Sequence, residues 1–350
     1  MKQFKIFLLF LFISLSATAS NTDEDMKAVY VAKAGTLISE FTKHEANALT
    51  HLKISGKINA IDFKNLRDDF TNLEVLDLSS AEIKNYVGKK GTLDQFHVYH
   101  ANAIPPHAFS EKTNYAPKER TALQLVVLPP TLNSIENFAF ANCPNLEILI
   151  CRGGEAPKLA DNALSAKRTV IFVPAGCKEN YSSKKVWSDF SIIDSEPLKV
   201  EINLEKEDDL ADALLSQGYQ PKNVHFLTIA GALDADDLQI IRDYMSDLVF
   251  LDISNTNTTE IPDYTFTHKS NLLKIHLPVQ LKSIGVHAFD SCVNLGPELS
   301  LPTTLTTIGA GAFINCHSLN SVHVTGNALS VIGDQIFGTT DNSRLIYDNR

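Results

Sequence analysis

Leu132-Asn-Ser-Ile135-Glu-Asn-Phe-Ala139-Phe140-Ala-Asn-Cys143-Pro-Asn-Leu146 is a phrase this chain repeats. It returns as Leu281-Lys-Ser-Ile284-Gly-Val-His-Ala288-Phe289-Asp-Ser-Cys292-Val-Asn-Leu295 and as Leu305-Thr-Thr-Ile308-Gly-Ala-Gly-Ala312-Phe313-Ile-Asn-Cys316-His-Ser-Leu319. The shared pattern is L-x2-I-x3-A-F-x2-C-x2-L. Ile261, Ile284, Ile308 and Ile332 stand 23, 24 and 24 residues apart. A fixed period of this size implies stacked supersecondary units, none of which buries its apolar side alone. In the first half, Ile104 and Ile135 are 31 apart, with the surplus in a polar stretch, residues 111–120, that reads as a surface loop.

A larger repeat lies over the first. Shifted by 175 residues, Ile54–Ser79 falls on Ile229–Ser254 with no gap and 10 of 26 positions identical. The chain therefore reads as two tandem copies of one domain, 27–196 and 197–350, with the boundary at Glu196-Pro197 where the strand-like run Leu198–Leu204 begins. Each copy opens with a strand ending in glycine (Leu52-Lys-Ile54 to Gly56, Leu227-Thr-Ile229 to Gly231) and then a helix. Asp234, Asp236 and Asp237 surround the start of the second helix, where carboxylates accept free amides. Leu238, Ile241 and Met245 give it an apolar stripe.

One repeat can be read in detail. Leu272-Leu-Lys-Ile275-His-Leu277-Pro278 is a short strand with Leu272, Ile275 and Leu277 inward and Lys274 and His276 outward. Pro278, lacking an N–H, ends it. Leu281 and Ile284 pack the return side, Ala288-Phe289 fill the far edge, and Cys292 closes the turn. Stacking such units gives parallel strands along one face.

The strand Leu73-Glu-Val-Leu76-Asp-Leu78 resembles that of leucine-rich repeats. With the A-F-x2-C-x2-L phrases, the strand ends Leu128-Pro129, Leu277-Pro278 and Leu301-Pro302, and Ile104-Pro-Pro-His-Ala-Phe109, the chain resembles the BspA-like leucine-rich repeat proteins of Bacteroides and its relatives. Val173-Pro-Ala-Gly-Cys-Lys-Glu-Asn-Tyr181 followed by Trp187-Ser-Asp-Phe190 looks like the closing piece of such domains. The resemblance implies a leucine-rich repeat solenoid, α/β to mainly β, in an exported or surface protein. Known members are best described as adhesins for host matrix or other cells. The first copy carries the closing segment, 173–193; the second lacks it and reaches Leu345-Ile-Tyr347 with a strand edge expected to be exposed and open to self-association.

The N-terminus reads as a signal peptide, 1–19, followed by a short linker, 20–26. Lys2 and Lys5 precede a ten-residue apolar run, Ile6–Leu15, and Ala17-Thr-Ala19 supplies the cleavage site. The run is too short for a membrane-spanning helix, and no lipid-anchor cysteine follows the cleavage site. The expected location is extracellular, at the cell surface, or periplasmic. Removing 1–19 takes away two lysines and no acids, moving the formal charge from −10 to −12. That balance argues against nucleic acid as a partner. Five cysteines remain, an odd number for an exported chain. Three share one slot of the repeat and are expected to be buried thiols; Cys292 and Cys316 form the one pair worth checking for a disulfide.

Chemistry is sparse. Glu260 with Asp263, and Asp208, Asp209 and Asp212, read as solvated acids rather than an acid–base pair. His97, His100 and His107 are the only histidine cluster, in a segment read as a polar loop beside Gly88, Gly91 and Pro105-Pro106; a zinc site there is the minor reading. No nucleophile elbow, phosphate loop or H-E-x-x-H motif occurs. No catalytic, cofactor or metal residue is assigned. The expected function is non-catalytic binding or adhesion toward a protein or glycan, with a loop-borne enzyme site or a structural role in a cell-envelope assembly as alternatives. The expected surface lies on the first domain. Its outward strand positions (Val75, Leu125, Val127, Ile148, Ile150, Val170 and Phe172, with Asp77) are mostly apolar, whereas those of the second (Phe250/Asp252, Lys274/His276, Glu298/Ser300 and Ser321/His323) are mostly polar. A solvated sheet face normally looks like the second; the first is either a partner surface or covered by another part of the chain.

Overall fold

The computed structural model describes residues 26–110, 122–165, 168–205, 209–326, 328–339 and 341–348. The expected signal peptide, 1–19, nearly all of the expected linker, 20–26, and the polar 111–120 stretch lie outside the described residues. The chain divides into two compact units, one up to Glu196 and one from Pro197.

In the first unit, seven parallel strands stack in chain order: Lys27–Val31, His51–Ile58, Val75–Ile83, Leu125–Leu128, Ile148–Cys151, Val170–Phe172 and Ser191–Ile193. A second parallel ladder, Ala103–Ile104, Ser134–Ile135 and Lys158–Leu159, closes the return side of the repeats. The core lies between the two ladders. Leu76, Val126, Leu149 and Ile171 come from the strands, Ile104 and Ile135 from the return side, and Phe109 and Phe140 from the far edge.

The second unit repeats the plan. Lys199–Leu204, Phe226–Gly231, Phe250–Thr256 and Lys274–His276 form one parallel sheet, and Glu298–Leu301, Ser321–Val324 and Leu345–Tyr347 another. The break falls at Pro297, which has no N–H to give the preceding strand. The return ladder runs unbroken through Glu260–Ile261, Ser283–Ile284, Thr307–Ile308 and Val331–Ile332.

The repeated phrase is explained slot by slot. The Phe rings stack from repeat to repeat, Phe266 on Phe289 at 5.1 Å, Phe289 on Phe313 at 5.4 Å and Phe313 on Phe337 at 5.9 Å. Each Phe N–H donates to the residue before the Phe in the next repeat: Phe266 to the Ala288 carbonyl at 2.7 Å, Phe289 to Ala312 at 2.8 Å. The cysteine thiol returns a hydrogen bond to the previous repeat. Cys292 Sγ donates to the Phe266 carbonyl and Cys316 Sγ to that of Phe289, both at 3.0 Å. The cysteine is therefore a small buried second donor to a turn carbonyl that also accepts a backbone N–H, from Lys269 to Phe266 and from Cys292 to Phe289, both at 3.2 Å. All five cysteines are free, so Cys292 and Cys316 do not pair. Burial pushes the Cys316 thiol up to about 12, which makes it a poor nucleophile.

The residue two positions before the Phe occupies a left-handed backbone state in repeat after repeat: His107 (φ 55°), Phe138 (58°), Tyr264 (59°), His287 (53°), Gly311 (62°) and Gln335 (49°). At His107, Tyr264, His287 and Gly311 its N–H is held by the next repeat, as His107 to the Asn137 carbonyl at 3.1 Å and His287 to that of Ala310 at 3.0 Å. Ladder bonding on both sides enforces a conformation that only glycine adopts without cost.

Each unit opens with more than the strand and helix legible in sequence. A strand and short helical turns come first: Lys27–Val31 then Leu37–Glu40 and Lys43–Ala48 in one unit, Lys199–Leu204 then Leu210–Ser216 in the other. One carboxylate ties this opening to the main helix in each. Asp62 accepts from the N–H groups of Gly35 (2.6 Å), Leu37 (2.9 Å) and Asn59 (2.8 Å). Asp237 accepts from Leu210 (2.8 Å) and Asp234 (3.1 Å). Both acids are buried, and desolvation raises their pKa values. Gly56 and Gly231 also share a role. Both have positive φ, and a Cβ there would strike the backbone oxygen of Val31 or Leu204 on the opening strand.

Candidate binding surface

Strand register sets the outward side chains in rows. Val75, Leu125, Ile148 and Val170 are successive ladder partners in the first unit, as are Asp77, Val127, Ile150 and Phe172. The seven apolar positions singled out in the sequence thus lie in two adjoining rows across four strands. None belongs to the interior cluster, yet none is more than 7% exposed. The first-unit face is covered rather than open. Asp77 forms the polar corner of the second row, paired with Lys53 at 2.8 Å.

The matching face of the second unit carries polar pairs. Asp252 meets His276 Nδ1 at 3.2 Å and accepts from the Ser254 N–H at 2.9 Å; these bonds hold its carboxyl below the usual range against the opposing effect of burial. His323 Nδ1 lies 3.0 Å from Asp348. Phe226 and Phe250 are neighbours in the other row and are buried.

Residues 173–193 lie against the last repeat of the first unit. Tyr181 and Trp187 are fully buried and meet edge-to-face at 5.2 Å. The Tyr181 hydroxyl donates to the Gly153 carbonyl at 2.7 Å, and Trp187 Nε1 to that of Pro157 at 2.8 Å. In the second unit, Leu345–Tyr347 pairs on one side only, with Ser321–Val324, and Ile346 and Tyr347 are 42% and 49% exposed.

Among the described residues no three or more His, Cys, Asp or Glu side chains gather as a metal site. His97, His100 and His107 instead line one cavity of about 450 Å³. The segment read as a polar loop holds an antiparallel hairpin, Tyr86–Gly88 with His97–Tyr99, which forms one wall. Its cross-strand pair, Tyr86 and Tyr99, stacks at 5.9 Å, and such pairs are what sequence periodicity misses in strands of three residues. Pro105, Pro106, His107, Glu136, Asn137 and Phe138 also line it.

The acids weighed as catalytic pairs do other work. Asp209 caps the Leu210–Ser216 helix, accepting from Ala211 at 2.7 Å and Asp212 at 3.1 Å. Asp263 Oδ1 accepts from the Val286 N–H at 2.6 Å, joining two repeats. Asp208 lies outside the described residues. Two buried bases are structural in the same way. Lys269 Nζ donates to the carbonyls of Arg242 (2.7 Å) and Met245 (2.9 Å) at a helix C-terminus, and burial pushes the ammonium down to about 8. His225 Nδ1 accepts from the Leu198 N–H at 3.1 Å, and burial pushes its imidazole down to about 4.

Comparison with known proteins matches residues 104–171 and 244–349 to the BspA type leucine rich repeat region, in six copies. No curated protein matches the chain. Similar solved structures include a leucine-rich repeat protein from Bacteroides ovatus, 14% identical over 77% of this chain and 85% of that one, with a TM-score of 0.28. Another is the Drosophila Toll–Spätzle complex, 16% identical over 86% of this chain and 38% of that one, with a TM-score of 0.27. A leucine rich cell surface protein of Faecalibacterium prausnitzii is 15% identical over 78% of this chain and 71% of that one, with a TM-score of 0.15. No described helix is long and apolar enough to cross a membrane.

Proposed function

Since the chain belongs to the BspA-type leucine-rich repeat family, we propose that it is an exported, non-catalytic binding protein that recognises a protein or glycan outside the cytoplasm, at the cell surface, in the periplasm or beyond the cell. The fold class carries a protein-interaction or surface-binding role; adhesion and export are our extension of it, the latter supported by the signal-like N-terminus. The observation that carries the reading is the pair of adjoining apolar rows on the first unit. Apolar side chains set in register outside the interior core form a face that takes apolar cover. Val75, Leu125, Val127, Ile148, Ile150, Val170 and Phe172 are the residues we assign to a partner, which takes the place of the cover that buries them within this chain. Self-association through the edge strand Leu345–Tyr347 is a second part of the proposal, supported by its one-sided pairing.

The test is capture of host matrix proteins and glycans by the chain without residues 1–19, compared with Val127→Lys and Ile150→Lys. Loss of capture with an unchanged melting temperature supports the assignment. Lower melting temperature with capture retained shows that the rows serve only the fold. Turnover of any captured glycan would replace the non-catalytic reading with an enzymatic one.

A further inference from the structure

The hairpin and the histidine cavity belong to the first unit alone. Twenty-five residues separate Ser79 from Ile104, whereas 7 separate Ser254 from Ile261, so the second unit has no counterpart of the hairpin. The hairpin is fastened at several points. Arg67, on the main helix, donates to the carbonyls of Thr92 at 2.9 Å and His107 at 3.1 Å. Thr92 Oγ1 donates to the Pro106 carbonyl at 2.5 Å, the Leu93 N–H to the Tyr99 hydroxyl at 3.0 Å and the Asn102 N–H to the Ile83 carbonyl at 2.9 Å. The same arginine in the second unit, Arg242, bonds the adjacent Asp243 at its surface. An insertion tied to both helix and repeat edge makes a preformed wall, the usual way a rigid scaffold carries a site.

The lining is mixed in a directed way. The rings of His107 and Phe138 stack at 5.0 Å, and Phe138 is 41% exposed. Both occupy the left-handed slot, so the chain accepts strain at two adjacent repeats while presenting an aromatic step to the cavity. His107 Nδ1 lies 3.2 Å from the Ser110 carbonyl and 3.5 Å from the Ser110 hydroxyl, which anchor the ring. Around this step stand Lys84, His97, His100 and Asn137, all hydrogen-bond donors. The one lining carboxylate, Glu136, is occupied by the Ser134 hydroxyl at 2.7 Å. Lys84 pairs with Glu82 at 2.6 Å, but both are exposed and such a pair is easily exchanged for a ligand anion. In a chain of formal charge −10, this is a donor-rich hollow with one lysine, one carboxylate and an aromatic step.

We infer that this cavity is a binding site for an acidic saccharide, whose carboxylate or sulfate meets Lys84 and the hairpin histidines while the C–H face of a sugar ring lies on the Phe138–His107 step. The volume, about 450 Å³, falls within the usual range for small-ligand sites and accommodates one or two sugar rings. A neutral sugar would leave Lys84 on Glu82 and make no use of its charge, and an aliphatic acid would leave the aromatic step unused. The inference rests on the non-catalytic binding reading but concerns a different surface from the strand rows.

The experiment is calorimetric titration of the chain lacking residues 1–19 with a glucuronate-containing disaccharide and with the neutral disaccharide of the same linkage. The acidic sugar is expected to bind at least about tenfold more tightly, the scale of one charge-assisted contact. Lys84→Gln and Phe138→Gly are each expected to weaken it by roughly tenfold or more. Phe138→Gly separates a binding role from a structural one. Glycine relieves the left-handed strain, so its melting temperature should hold or rise while affinity falls. Tyr264→Ala, at the same slot in the second unit, should leave affinity unchanged. Equal binding of both sugars, no binding at millimolar concentration, or affinity indifferent to Phe138→Gly would overturn the inference while leaving the strand-row proposal intact. Cleavage of the disaccharide would instead overturn the non-catalytic reading.

Discussion

At the scale of single residues, the two units agree most closely where geometry leaves no choice. Gly56 and Gly231 lie at equivalent positions, and each permits the opening strand to approach where a side chain would collide with backbone. Gly56→Ala or Gly231→Ala is expected to cost roughly 1–3 kcal/mol, read as a lower urea midpoint. Both glycines were visible as a shared pattern, but their reason was not, because sequence does not show how near a neighbouring strand passes. His225 gives a pH dependence. Its folded pKa, about 4, lies below the ordinary value near 6.5, so between these pH values the unfolded chain binds the extra proton. Stability is therefore full above pH 6.5 and falls as pH drops toward 4, by on the order of 2–3 kcal/mol. Urea titrations at pH 7 and pH 4.5 check this, and His225→Asn should flatten the difference. An unchanged midpoint in the native chain would show that the imidazole is not held neutral.

At the scale of elements, the repeat phrase was legible because each of its positions makes the same bond in every repeat. The Phe stack and the cysteine–carbonyl bonds recur, so identity recurs. Phe313→Ala, which removes a ring stacked on both sides, is expected to cost about 3–5 kcal/mol in denaturant unfolding of the second unit. Cys316→Ala should cost about 0.5–1.5 kcal/mol by removing the second donor to the Phe289 carbonyl, which keeps the Cys292 N–H at 3.2 Å, and Cys316→Ser less. The opening helices and the hairpin were less legible for the opposite reason. The Leu210–Ser216 helix has two turns and an acidic cap that also reads as a solvated charge, and the hairpin's strands are too short to show a period. The left-handed slot has no signature in the sequence. It is defined by backbone bonds, and its occupants (His, Phe, Tyr, His, Gly and Gln) share no side-chain chemistry.

At the scale of the whole molecule, the two cores draw on separate stretches of chain, Val31–Ile192 and Val200–Phe337. Residues 27–196 and 197–350, expressed separately, are each expected to unfold cooperatively; a span lacking a transition would show that its core is incomplete. The units also differ in how their last repeats are finished. The first has Tyr181 and Trp187 sealed over its repeats, and Trp187→Ala is expected to cost about 3–5 kcal/mol. In the second, amides of Leu345–Tyr347 should exchange quickly in dilute monomer and slow on self-association; strong protection in the dilute monomer would remove the edge-pairing proposal.

The left-handed slot has a consequence for how such a chain can change. Its side chain projects from the edge, while the bonds that fix the position belong to the backbone. A substitution there alters what the repeat displays and leaves the Ala-Phe-Cys interior untouched. Glycine gives a silent, relaxed repeat; an aromatic gives a strained but expressive one. Gly311, flanked by His287 and Gln335, is the silent version already in place. Recognition can thus drift along the solenoid one repeat at a time, with stability moving in the opposite direction by a small and local amount.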